Sequence, residues 1–136
     1  MKEEKHDEIL KEVQDEVETA LKDRKGLLAH QRRLAFLLSL GAANLIESYF
    51  HRLNIIKEGS KIDHSWFKRK KQSIFEKLEK QITSPISSIG NINAIIDIVI
   101  KIEEKRDDIA YGAPSTENAL QEKINLFYEL RRILKC

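Results

Sequence analysis

The sequence predicts an all-α fold, an up-and-down bundle of four to five helices forming one domain over residues 1–136. Three observations carry this. Apolar residues recur at three- and four-residue steps along most of the chain. Only two prolines and five glycines interrupt its 136 residues, which suits a few long helices better than many short strands. With 41% apolar and 34% charged residues, the chain is able to bury a core without disulfides or metal and keep a solvated surface.

Leu10, Val13, Val17, Ala20 and Leu21 give residues 3–24 an apolar stripe, and the acidic, amphipathic segment 1–25 is expected to pack on the bundle. Gly26 either ends this helix or bends it. Residues 27–56 are apolar on more than one side, with Leu34, Phe36, Leu37, Leu38, Leu40, Leu45, Ile46, Tyr49, Phe50 and Leu53. Such a helix needs partners on two faces, as the central element or as half of a subunit interface. Gly41-Ala42-Ala43 would let another helix come close. Asp63 is the N-cap expected for a third helix reaching Ile82, with Phe67, Ile74, Phe75 and Leu78 on its buried stripe. After the break around Pro85 and Gly90, Asn91 is expected to cap a fourth helix carrying Ile92, Ile95, Ile96, Val99, Ile102 and Ile109. Strict alternation fails at Ile95-Ile96, and the polar continuation 103–108 favours helix over strand. Ile98 and Ile100 widen its apolar surface, so the second or this fourth helix is the expected homodimer seam. Gly112 fits the position just past that helix, Pro114 forbids continuation, and Ser115 is expected to cap a last helix burying Leu120, Ile124, Phe127 and Leu134.

Composition narrows the function classes. No apolar run approaches the roughly 20 residues of a membrane helix, and the acidic N-terminus lacks the apolar core of a signal peptide. The lone Cys136 rules out a disulfide framework, and a reducing, cytoplasmic setting is expected. Eighteen isoleucines beside many Glu and Lys resemble the usage of heat-adapted organisms. A net charge of +2 does not by itself mark a nucleic-acid binder. Charge is uneven, however: residues 1–25 hold six bases and nine acids, and residues 57–80 hold eight bases and four acids.

One run points to chemistry: Arg106-Asp107-Asp108-Ile109-Ala110-Tyr111-Gly112, which gathers a guanidinium, carboxylates and a phenol at a helix end. A long apolar helix, a basic third helix, this run and a capped terminal helix together resemble a HEPN domain. The resemblance is clearest over residues 92–136 and extends over 27–136. The family's hallmark is an arginine, usually followed by a polar residue, with a histidine four to six positions later. Arg106 and Asp107 match its first two positions, and Tyr111 stands in place of the histidine. The resemblance implies a homodimer whose paired motifs form one RNA-cleaving cleft, often working with a minimal nucleotidyltransferase in a toxin–antitoxin pair. Other members bind nucleotides or partners without cleaving RNA.

Metal-free RNA cleavage requires a proton-transfer group and a cation for the phosphorane charge. Arg106 supplies the cation, because its planar fork suits phosphate. A phenol titrates near about 10 and is a poor base at neutral pH, so Tyr111 is expected to donate a hydrogen bond or stack. Asp107 shares the helix face of Tyr111 and is the carboxylate placed to act as base. The plain alternatives are a surface ion pair of Arg106 with Glu103 or Glu104, and Tyr111 as a partly buried aromatic sealing the helix end.

The run Lys68-Arg69-Lys70-Lys71, with Trp66 available to stack, matches an RNA backbone contact. A solvated helix face accounts for it too, and Glu76 and Glu79 dilute its field. Arg24 and His30 satisfy the bare arginine–histidine spacing but precede the long helix instead of closing one. His6, His51 and His64 are scattered without the paired spacing of a metal site, and His51 is expected at an interface or in solvent. No metal or cofactor is expected. Nor does the chain hold a P-loop, a Gly-rich dinucleotide loop or a Ser/His/Asp triad.

Overall fold

The structure, a computed structural model describing residues 3–135, is a helical bundle with no strand among the described residues. Its α-helices are α1 (Glu3–Lys22), α2 (Gln31–Arg52), α3 (Lys71–Glu79), α4 (Ile92–Glu103), α5 (Arg106–Tyr111) and α6 (Glu117–Leu134). Short 3₁₀ segments lie at Leu27–His30, His64–Lys68 and Ile86–Ser88. No described helix is long and apolar enough to cross a membrane. Cys136 lies outside the described residues.

α2 is the central element and packs against α1, α4, α5 and α6. Its apolar surplus is thus used mainly inside the chain: Leu34, Leu45, Ile46 and Phe50 are buried in one core with Val13, Val17, Ile124 and Phe127. Gly41 makes this crossing possible. A Cβ there would sit 2.8 Å from the Phe127 ring and 3.2 Å from Val13. Phe127 is fully buried and has no room to retreat. Gly41→Val is expected to cost about 1–3 kcal/mol by overpacking. Chemical denaturation checks this, and an unchanged midpoint would contradict it. α4 buries Ile92, Ile95, Ile96, Ile98, Val99 and Ile102 within the chain, so little of its apolar excess remains for a subunit seam. α2 does keep an outward apolar strip, with Leu40 39% exposed and Phe36 and Leu37 half-buried.

Several helix ends differ from expectation, each for a physical reason. The first helix ends at Lys22, before Gly26 is reached; Gly26 stands at the N-cap of the 3₁₀ segment with φ +84°, and a Cβ there would collide with Glu117 Oε1 at 2.5 Å. The Glu117 carboxylate accepts from the N–H groups of Leu27 and Leu28 at 2.9 and 3.1 Å. The expected third helix is two pieces. Asp63 caps the 3₁₀ segment through the Ser65 N–H at 2.8 Å, Arg69 and Lys70 are extended, and α3 runs only from Lys71 to Glu79. The fourth helix also splits, with Lys105 in the left-handed region at φ 59°. Lys123 from α6 explains the break: its ammonium donates to the carbonyls of Lys101, Ile102 and Glu104, which the interrupted helix leaves without N–H partners. Asn91 stands at the N-cap of α4, but it is left-handed and its side chain makes no cap bond. Thr116, not Ser115, caps α6 by accepting from the Ala119 N–H at 3.0 Å. Gly112 is extended, with φ −94°, instead of left-handed.

His30 has a packing role. It is buried with Nδ1 2.9 Å from Glu16 and Nε2 2.7 Å from Asp23, while Arg24 is exposed. The bond to Asp23, then that to Glu16, raises its pKa above the ordinary value despite burial. A group with a raised folded pKa stabilises fully below its unfolded pKa, and that stabilisation is lost as pH rises through the folded value. Thermal stability is therefore expected to fall as pH rises from about 6.5, and His30→Gln should flatten part of that fall. Identical slopes for the two proteins would contradict the assignment.

Candidate functional site

Arg106 opens α5, directly after the left-handed turn at Lys105. The far end of α5 is pinned by the buried side chain of Gln31. Its amide donates to the carbonyls of Ile109 (2.8 Å) and Ala113 (3.2 Å), and its oxygen accepts from the Ser115 N–H (2.9 Å). The Arg106 side chain is only 13% exposed. Its guanidinium lies 4.9 Å from the centre of the Phe36 ring and donates to Asp107 Oδ1 at 2.9 Å. Its Nε is buried without a hydrogen-bond partner among the described residues. The ion pair is therefore with Asp107, not with Glu103 or Glu104, and the arginine is braced by an aromatic face.

Asp107 has a second cation. Lys68 donates to its Oδ2 at 2.7 Å. The Lys68 bond, followed by that from Arg106, outweighs desolvation and holds the carboxyl below its ordinary range. Held between two cations, Asp107 is a weaker base than a free carboxylate. Tyr111 is 71% exposed, which overturns the picture of a residue sealing the helix end. Its ring meets Phe36 edge-on at 5.7 Å, so Phe36 stands between Arg106 and Tyr111 and joins the two ends of the motif.

An open groove of about 390 Å³ runs between the 3₁₀ segment His64–Lys68 and α5. Lys68, Arg69, Lys105 and Arg106 line it together with Glu103, Glu104, Asp107 and Asp108. Its charge is balanced, so it selects by local geometry more than by bulk field. A larger recess, of about 650 Å³, lies where α4, α5 and α6 meet. Of the three lysines that line it, Lys101, Lys105 and Lys123, the last is engaged on backbone carbonyls. The basic run is divided. Lys68 faces Asp107; Lys71 pairs with Asp97 at 2.8 Å and stands 5.9 Å from the Phe75 ring centre. Arg69 and Lys70 are exposed and have no ion pair among the described residues. Trp66 is half-buried beneath the Lys77 ammonium, 5.7 Å from its ring centre.

Two polar groupings escaped the sequence reading. Glu103, 3% exposed, accepts from the Ser39 hydroxyl on one oxygen and meets His64 Nδ1 at 3.1 Å on the other. A carboxylate one turn after Val99, on the apolar face of α4, was the available signal. The second corrects the expectation of scattered histidines. The rings of His6 and His51 lie 5.4 Å apart, beside Glu47. Glu47 and His51 are four residues apart on one helix, and that spacing was legible; their meeting with His6 was not.

No family model, curated protein or solved structure matches this chain.

Proposed function

We propose that this chain is a HEPN-like, RNA-associated protein that grips a phosphate of the RNA backbone in the groove between the 3₁₀ segment and α5. The observation that carries this reading is the chain of contacts Lys68–Asp107–Arg106, which joins the basic run to the arginine motif in one groove. Asp107 holds two cations in place where an anion would bind. A phosphate entering the groove takes over the Arg106 and Lys68 donors from Asp107, giving charge-assisted bonds to a planar guanidinium and an ammonium. Tyr111, exposed beside Phe36, offers a ring on which an unpaired base stacks.

A second reading, metal-free endoribonuclease and toxin half of a pair with a minimal nucleotidyltransferase, is favoured by His64. The motif lacks its histidine, yet Glu103, which lines the same groove, holds His64 by Nδ1. An imidazole oriented by a carboxylate is suited to proton transfer, and Arg106 is suited to the phosphorane charge. The homodimer of this reading would close over Phe36, Leu37 and Leu40, the partly exposed apolar strip of α2; the same strip serves a non-catalytic module that docks another protein. Incubation of RNA with wild type, Arg106→Ala and His64→Ala in the presence of a chelator separates these readings. Chelator-resistant cleavage lost in both variants supports the enzyme. RNA retention that depends on Arg106 without cleavage supports the binder, and neither behaviour leaves the docking module.

A further inference from the structure

We propose that His6, Glu47 and His51 form a binding site for a divalent transition metal, with zinc as the best match, joining α1 to α2. One nitrogen of each histidine and one oxygen of Glu47 all lie within 4.8 Å of one another. His6 and Glu47 are buried and His51 is half-buried, so the donors converge inside the bundle. Two imidazoles and a carboxylate are a donor set that zinc and its first-row neighbours accept, with a further position left for water.

The surrounding bonds orient these donors as a metal site requires. Asn44 donates one amide hydrogen to the Leu40 carbonyl at 2.8 Å, which turns its oxygen toward His6 Nδ1 at 2.6 Å. That oxygen only accepts, so the His6 proton sits on Nδ1 and Nε2 is aimed at Glu47 Oε2, 2.6 Å away. Glu47 is held in turn, because its Oε1 accepts from the Ile62 N–H at 2.6 Å. A histidine whose far nitrogen donates to a fixed carbonyl oxygen, beside a carboxylate anchored by a backbone N–H, is the outer arrangement found around metal ligands. Asn44, Glu47 and His51 follow one another at three- and four-residue steps, so one face of α2 carries the two ligands and the orienting group.

The competing explanation is a buried ion pair between protonated His6 and Glu47 that needs no metal. It accounts for two of the three residues. It leaves His51 Nε2 buried and without a hydrogen-bond partner among the described residues, within reach of the other two donors. A metal ion uses all three. The site is separate from the α5 groove and does not depend on the RNA reading; its role would be to fasten the N-terminal helix to the central one.

The test uses the full chain with Cys136→Ser, stripped by a chelator and then titrated with zinc and, separately, with cobalt. One zinc per chain, a raised melting temperature, and four- or five-coordinate cobalt absorption without thiolate bands are expected. His51→Ala spares the His6–Glu47 pair and should weaken zinc binding by more than about 100-fold, while Asn44→Ala should weaken it by about 10- to 100-fold. Cobalt spectra of the chain with all three ligands intact keep the test decisive if a variant fails to fold. Absence of zinc binding, six-coordinate cobalt bands only, or unaltered zinc affinity in His51→Ala would overturn the proposal.

Discussion

Phe127→Ala is expected to destabilise the chain by about 3–5 kcal/mol. Phe127 is fully buried on α6 and its ring lies over Gly41 of α2, beside Val13 of α1. Truncation would open a cavity where three helices meet, and backbones already this close have little freedom to collapse into it. Domains of this size are stable by only about 5–15 kcal/mol, so roughly a fifth or more of the total is at stake. Urea denaturation of the two proteins measures the loss. Coupling provides a sharper check: Gly41→Ala should cost less in a Phe127→Leu background, where the crowding ring is gone, than in wild type. A loss below about 1 kcal/mol for Phe127→Ala, or strict additivity of the pair, would mean that the crossing is not packed as described.

Arg106→Ala is expected to lower the affinity for single-stranded RNA by about 10- to 100-fold, the loss of a charge-assisted bond worth about 1.5–3 kcal/mol. Arg106→Lys should recover only part of it, because an ammonium lacks the planar fork. The informative partner is Asp107→Asn. Its carboxylate competes with phosphate for both Arg106 and Lys68, so removing the charge is expected to raise RNA affinity. If Arg106 and Asp107 served only to hold α5 in place, both substitutions would act in the same direction. Opposite signs, with melting temperatures close to wild type, are the signature of a groove that exchanges one anion for another.

What the sequence made legible follows from how local each cause is. The stripes of α1, α2 and α6 are written in periodicity, and those helices formed. Gly41 announced a close crossing and made one. The third and fourth helices failed where distant residues intervened. Lys123 lies about twenty positions beyond the break that it stabilises, and no pattern within residues 92–111 contains it. Phe67 is buried while Arg69 and Lys70 extend, a geometry set by packing of the 3₁₀ segment on α4. The site was half legible. Arg106 and Asp107 were named together but Lys68 apart from them, because the Lys68–Asp107 bond that unites the two groups spans 39 positions. Phe36, read as one of many apolar residues, turned out to brace both ends of the motif. Glu103 and the His6–Glu47–His51 group depend on helices meeting, which only the fold brings about.

The central claim, phosphate binding at Arg106, is tested most directly by titrating single-stranded RNA into the purified chain over a range of salt concentrations, wild type beside Arg106→Ala. Affinity that falls steeply with salt, and a variant with weaker binding and a shallower salt slope, are the expected results. A flat salt response, or an Arg106→Ala curve that overlays the wild type, would contradict it.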